Sequence, residues 1–211
     1  LRFNASEIGL DAFAYNIPVD QLTELLENAA ASQSGLIRYP LEAQTCGVEG
    51  RRAVIVLTDG TRLEAELMIG ADGRKSKVRA SVGITTREWQ YHQSAVTTLL
   101  EHDVDHHDTS TEFHTREGPF TFVPLPGKRS SLVWLTSPER ARGLLAMDDT
   151  ALAARIEKQS KSFLGKVQLI GPRGLVPMAG LSVSAIARQR VALIGEAAHA
   201  FPPIEIGRAH V

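Results

Sequence analysis

The most constraining stretch is residues 67–79, Leu-Met-Ile-Gly-Ala-Asp-Gly-Arg-Lys-Ser-Lys-Val-Arg. Leu67, Met68 and Ile69 form an apolar run without polar alternation, the pattern of a strand buried on both faces. Gly70 ends the run, and Asp72-Gly73 marks a turn. From Arg74 to Ala80 the pattern predicts the start of a helix, with Asp72 placed to cap its free N–H groups. A strand that ends in small residues and an acid, then turns into a helix, is a common ligand-site design in open α/β sheets. A carboxylate there repels phosphate but accepts hydrogen bonds from sugar hydroxyls or water, while the helix N-terminus attracts an anion. On spacing alone, Asp72 reads equally well as a plain helix cap; for Arg79 the lesser alternative is an ordinary surface charge facing solvent.

A second stretch has a similar character. Residues 190–199 read Arg-Val-Ala-Leu-Ile-Gly-Glu-Ala-Ala-His, and Pro202-Pro203 follow. Asp72-Gly73-x-x-Ser76-x-x-Arg79 and this downstream stretch resemble the two flavin motifs of the class A flavoprotein monooxygenases. Residues 120–126 (Phe-Thr-Phe-Val-Pro-Leu-Pro) and 131–134 (Ser-Leu-Val-Trp) are similar to the middle region of the ubiquinone-biosynthesis hydroxylases in that family. The resemblance runs over nearly the whole chain up to Ile204. Two motifs in the right order, with the expected region between them, are far more specific than either alone.

The resemblance implies an α/β (mixed α+β) fold. A partial FAD-binding Rossmann-like domain (residues 1–86 and 181–204) would be interrupted by an antiparallel-sheet substrate domain (residues 87–180). It implies NAD(P)H- and FAD-dependent hydroxylation of an aromatic ring, a phenolic ubiquinone precursor, through a flavin C4a-hydroperoxide. In such chemistry the protein orients the ring, excludes water and stabilises negative charge on the flavin. No catalytic acid or base is expected, and no Ser-His-Asp or paired-carboxylate arrangement stands at a convincing spacing.

By the same resemblance, Asp72, Gly73, Ser76 and Arg79 are cofactor-binding candidates near the FAD pyrophosphate and within reach of the nicotinamide donor. Gly195, Glu196, Pro202 and Pro203 form the second set. The family usually carries Asp where Glu196 stands, hydrogen-bonded to a ribityl hydroxyl. Glu keeps the acceptor but adds a methylene, so the backbone must retreat or the side chain must fold. Pro202-Pro203 would rigidify the entry to the flavin loop. His199 reads as a packing or hydrogen-bonding residue before a base. Phe120, Phe122 and Trp134 could line an aromatic substrate pocket or equally form sheet core.

Composition narrows the partners. The chain has 211 residues, enough for one large or two small domains with a real core. Its 23 basic and 24 acidic residues leave a net charge of −1 with no basic stripe, so a nucleic-acid partner has no electrostatic support. The single cysteine, Cys46, excludes an internal disulfide and a Cys-rich zinc site, and is read as inert. Residues 101–108, Glu-His-Asp-Val-Asp-His-His-Asp, contain metal-ligand types but read as a solvated connection, and no metal is expected. No apolar run reaches the length of a membrane span and no signal peptide is visible, which fits a cytoplasmic setting. The resemblance leaves open a lipid-tailed substrate and peripheral association with a bacterial inner membrane; the oligomeric state is open.

None of the 17 glycines stands two positions from another, so a Gly-x-Gly-x-x-Gly phosphate turn is absent. The expectation is therefore a fragment of a longer flavoenzyme, without its N-terminal Gly-rich turn. Residues 205–211 depart from the family pattern; back-translated, they resemble a sequencing-adapter string and read as a non-native tail. Alone, these residues are expected neither to retain FAD nor to turn over substrate. The competing readings are another flavin-dependent oxidoreductase on the same scaffold and a catalytically incompetent fragment. A plain nicotinamide dehydrogenase is disfavoured by the missing fingerprint.

The remaining pattern predicts an amphipathic helix over 20–31, capped by Asp20, with Leu22, Leu25, Leu26, Ala29 and Ala30 on one face. Strands are predicted over 35–39 and 43–48. A hairpin joins 53–57 to 62–66 through Thr58-Asp59-Gly60-Thr61. Further strands are predicted at 94–100, 109–116, 120–126, 130–136, 167–170 and 175–178. A helix over 148–163 would turn Leu152, Ile156 and Phe163 inward.

Overall fold

The computed structural model describes residues 1–201. Pro202, Pro203 and the expected tail at 205–211 lie outside the described residues. In chain order the helices are α1 (Val19–Ala31), α2 (Lys77–Ser81), α3 (Pro138–Leu145) and α4 (Asp149–Ser160). The strands are β1 (Ala43–Glu49), β2 (Arg52–Leu57), β3 (Arg62–Ala65), β4 (Met68–Gly70), β5 (Thr86–His102), β6 (Thr111–Thr115), β7 (Gly118–Leu125), β8 (Arg129–Thr136), β9 (Val167–Leu169), β10 (Gly174–Val183), β11 (Ala187–Arg188), β12 (Val191–Leu193) and β13 (His199–Ala200). The backbone divides into two compact units. One comprises Leu1–Ile37 and Gln93–Val176; the other comprises Arg38–His92 and, of the described residues, 177–201. Residues 1–37, placed by the sequence with the flavin-binding part, thus group with the unit that holds the large sheet.

In the first unit, β5, β8, β7 and β6 form an antiparallel ladder, and β9 pairs with β5. Alternation decides which side chains turn inward: Phe120 and Phe122 on β7, Leu132 and Trp134 on β8, Val96 and Leu100 on β5. Phe120 stands directly opposite Trp134, and Phe122 opposite Leu132. The Phe120 and Trp134 rings meet edge to face, 5.0 Å between centroids. Helix α4 adds Leu152 and Ile156 to this core, and α3 adds Ala141 and Leu144. Each fully buried large side chain contributes about 1.5–3 kcal/mol.

Helix α4 starts where Asp148, as N-cap, accepts from the Ala151 N–H at 2.8 Å. It ends at Lys161, in the left-handed region, so Phe163 lies past the helix and half-exposed, edge-on to Phe113. Helix α3 escaped the sequence reading, although Ser137-Pro138 is an N-cap followed by proline at the first helical position. Helix α1 forms, but it begins one residue before Asp20, and none of its residues is buried. Residues 35–39 lack the ladder partner a strand requires and remain irregular.

In the second unit, β1, β2 and β3 make an antiparallel meander, and β11, β12 and β4 make a second small sheet. The β2–β3 turn is as expected: Gly60 has φ +86°, and Asp59 accepts from the Thr61 N–H at 2.9 Å. Strand β4 departs from expectation. Met68 and Gly70 are buried, but Leu67 and Ile69 are each 55% exposed, so only one face is covered by the described residues. The unit's core gathers Ala53, Met68, Val78, Val82, Val191 and Leu193 with Ala197 and Ala198.

Candidate functional site

Strands β4 and β12 are direct neighbours and run parallel, with Met68, Ile69 and Gly70 opposite Val191, Ala192 and Leu193. The Ile194 N–H extends the ladder by donating to the Gly70 carbonyl at 3.0 Å. Parallel strands expose equivalent ends, so the segments that follow Gly70 and Leu193 leave the sheet from the same edge. The two sequence motifs therefore meet in space. Gly70 makes the fit possible: a Cβ there would stand 2.9 Å from both Leu193 Cδ2 and Val78 Cγ1. The close approach of β4, β12 and α2 needs the missing side chain.

Beyond Gly70 the chain turns through Gly73, at φ +78°, into α2. The expected cap is corrected in its detail. Ser76 is the N-cap, its hydroxyl oxygen accepting from the Arg79 N–H at 2.9 Å. Asp72 stands behind it, accepting from the Ser76 hydroxyl at 2.5 Å and from the Val78 N–H at 3.1 Å. Partial burial works to raise the Asp72 carboxyl, but these hydrogen bonds outweigh it and hold the group below the usual carboxylate range. Two of the helix's first amides are thereby occupied. With only 5 residues, α2 has a short dipole behind its N-terminus.

Arg79 is the residue whose place the sequence left most open, and it is buried. Its guanidinium donates to the Arg74 carbonyl at 2.6 Å and to the Ala197 carbonyl at 2.9 Å. One planar fork thus ties the first motif to the second. The second motif folds from Gly195, at φ +57°, into a single 3-10 turn, Gly195–Ala197, that carries Glu196 outward. Glu196 is 45% exposed and meets Arg74, with Nε to Oε2 and Nη2 to Oε1 both at 3.4 Å. An exposed pair of this kind adds no more than about 1 kcal/mol, so its effect is to orient the carboxylate. The longer Glu side chain folds toward Arg74, a residue that the sequence reading passed over as an unspecified position of the motif.

The other candidates sort simply. Phe120, Phe122 and Trp134 are at most 2% exposed and belong to the core of the first unit, so they offer no face to a pocket. Their alternation along paired strands is core patterning, which is the reading that prevails. His199 is half-buried, its ring 5.1 Å from that of Phe201. Cys46 packs beside the core of the second unit. Burial, and then the neighbouring Asp72 charge, push its thiol up and away from the reactive thiolate. Among the described residues, no group of three or more His, Cys, Asp and Glu is placed to hold a metal ion. None of their helices is long and apolar enough to cross a membrane.

An exposed carboxylate that accepts, a cation beside it and two backbone turns at one sheet edge suit a ligand with hydroxyls and negative charge. The chain is 38% identical over 148 residues to the ubiquinone hydroxylase UbiL of Rhodospirillum rubrum, covering 70% of this chain and 34% of that protein. It is 32% identical over 203 residues to the 3-demethoxyubiquinol 3-hydroxylase of Escherichia coli K12, covering 96% of this chain and 52% of that protein. It spans, then, about a third to about a half of the length of these curated relatives. The flavin-dependent halogenase CmlS shares the fold, with a TM-score of 0.71 at 15% identity over 88% of this chain and 36% of that one. The sequence model described as "FAD binding domain" matches residues 10–205, and the chain belongs to that family.

Proposed function

We propose that this chain is the part of an aromatic-ring hydroxylase that holds one side of the FAD and the sheet beneath a phenolic substrate. The substrate class is a precursor of ubiquinone, and the electron donor is NAD(P)H. The observation that carries the reading is the adjacency of β4 and β12, which delivers both flavin motifs to one edge. Relatives named as a ubiquinone hydroxylase and a 3-demethoxyubiquinol 3-hydroxylase support the choice of substrate.

Reduced flavin, when bound, supplies the oxygen-activating chemistry. The chain's own residues do the positioning. Glu196 accepts from hydroxyls of the flavin's sugar-alcohol chain, and Arg74 holds that carboxylate in place. Asp72 and Ser76 fix the start of α2, and Arg79 locks the 3-10 turn to it. This division of labour needs no side chain as a strong acid or base. A lipid tail on the substrate would bring the whole enzyme to a membrane surface.

The test grafts residues 1–201 into the E. coli relative in place of the matching segment, in a strain lacking that hydroxylase. The expected result is a yellow chimera that restores ubiquinone. A folded chimera without flavin absorbance overturns the cofactor reading. A flavin-loaded chimera that leaves demethoxyubiquinol unconverted overturns the substrate reading.

A further inference from the structure

The connection between β5 and β6 is built around two buried histidines that the proposed chemistry does not use. His102 closes β5 and is 4% exposed; His106 lies in the connection and is 7% exposed. Their rings meet edge to face, 5.6 Å between centroids. The partners of each ring assign its protons. A carbonyl only accepts, so the 2.8 Å contact of His102 Nδ1 with the Val104 oxygen places the hydrogen on Nδ1. Nε2 then accepts from the Ser130 hydroxyl on β8, at 2.9 Å. His106 has the opposite tautomer: Nδ1 accepts from the Asp108 N–H at 3.0 Å, and Nε2 donates to the Leu125 carbonyl at 2.9 Å on β7. Both imidazoles are neutral, and all four ring nitrogens are engaged.

These bonds hold a backbone that has no intrinsic preference for its shape. His107 and Asp108 stand side by side in the left-handed region, at φ 49° and 50°. Each such non-glycine residue costs about 1 kcal/mol or more, and the conformation persists only where its surroundings enforce it. The enforcing contacts are the ring of His106, the Asp105 carboxylate on the His107 N–H, and the Thr109 N–H on the His106 carbonyl.

We propose that His102 and His106 form a proton-operated latch, closed while both rings are neutral and released on acidification to free residues 103–110 and the adjoining edge strand β6. A proton on His106 Nδ1 faces the Asp108 N–H, donor against donor, and that bond is lost. A proton on His102 Nε2 turns the Ser130 hydroxyl round, and the new charge sits inside the sheet. Burial already holds the His102 imidazole below its ordinary range.

The charged neighbours offset this only in part, since burial outweighs the pull of Asp105 on His102. Asp105 approaches His106 Nδ1 at 4.0 Å, but it also faces the exposed His107 at 3.7 Å and is itself 55% exposed. Asp103 and Asp108 lie on the same connection, and Glu101 on β5. From the β7–β8 turn, Lys128 donates to the Asp103 carbonyl at 2.7 Å and Arg129 follows it, while the Lys166 carbonyl holds the Asp103 N–H and Glu157 of α4 holds the Val167 N–H. Asp105 therefore divides its charge between His106, the exposed His107 and solvent.

Amide hydrogen exchange on the full 211-residue chain at pH 7.5 and pH 5.0, corrected for intrinsic rates, tests the latch. The amides of Val104, Asp108 and Thr109 are expected to lose at least about tenfold of their protection at pH 5.0, while Leu100 and Leu132 keep theirs. His106→Gln should abolish the difference between the two pH values, and His107→Gln, a change at the exposed neighbour, should preserve it. Should His106→Gln fail to fold, the imidazole C–H resonances of the unaltered chain supply the second measurement, with His102 titrating at the pH where the connection opens. Equal protection at both pH values overturns the latch. So does loss of protection in step with Leu100 and Leu132, or a transition that survives His106→Gln unchanged.

Discussion

Arg79 Nη1 donates to the main-chain oxygen of Ala197 at 2.9 Å, across 118 residues of sequence. The same guanidinium reaches the Arg74 carbonyl. Replacing it by methionine keeps the stem and strands two carbonyls in a partly buried place. Arg79→Met is expected to destabilise the second unit by about 1–3 kcal/mol. Arg79→Lys should recover only part, because one ammonium cannot span both acceptors in the plane of a guanidinium. Urea unfolding midpoints of the three chains check the order: unaltered, Lys, Met.

Gly70 is tested by adding one carbon. Gly70→Ala places a methyl against Leu193 Cδ2 and Val78 Cγ1, both at 2.9 Å, and overpacking of this kind costs about 1–3 kcal/mol. Val78→Ala alone opens a cavity and is also destabilising. The double variant should lose less than the two single variants added together, since each change relieves the other. A cycle of chemical denaturation curves measures the coupling, and strict additivity would mean that the close approach carries no strain.

Asp72 makes the second unit sensitive to acid. Its folded carboxyl is held below the unfolded value, so its contribution is complete above about pH 4 and is lost as pH falls through the folded value. Asp72→Asn should therefore destabilise the chain at pH 7, and the gap between the two chains should narrow as pH falls toward 3. Thermal unfolding at both pH values measures this. A gap that is unchanged at pH 3 would assign the effect to shape and not to charge.

Much of this architecture was legible where a local rule and a long-range partner agreed. Asp59-Gly60 announces the β2–β3 turn because the turn chemistry is complete within four residues. The alternation of Phe120, Phe122, Leu132 and Trp134 announces paired strands, and the pairing buries them as sheet core. The capping of α2 was half legible, because Asp72 and Ser76 both carry acceptors and only geometry divides two amides between them. Helix α1 shows the limit of periodicity, which defines a face on Leu22, Leu25 and Leu26 but says nothing of what covers it. His102 and His106 show another: in an irregular, charge-rich connection, burial follows from distant contacts with Ser130 and Leu125. Arg74 was invisible for a related reason, since its significance depends on Glu196, which lies far along the chain.

The two tryptophans offer a separate view of each unit. Trp134 is 2% exposed in the core of the first. Trp89 is half-buried in the second and lies over Gly180, where an added Cβ would clash with Cε2 and Cζ2 of the indole. With Trp89→Phe, the emission of Trp134 should be blue and resistant to acrylamide. With Trp134→Phe, Trp89 should emit further to the red and be quenched more readily. Adding Gly180→Ala to that second background should shift the emission further red and raise quenching again, because the ring must leave its seat on the strand. Emission that does not respond to Gly180→Ala would place the Trp89 ring elsewhere.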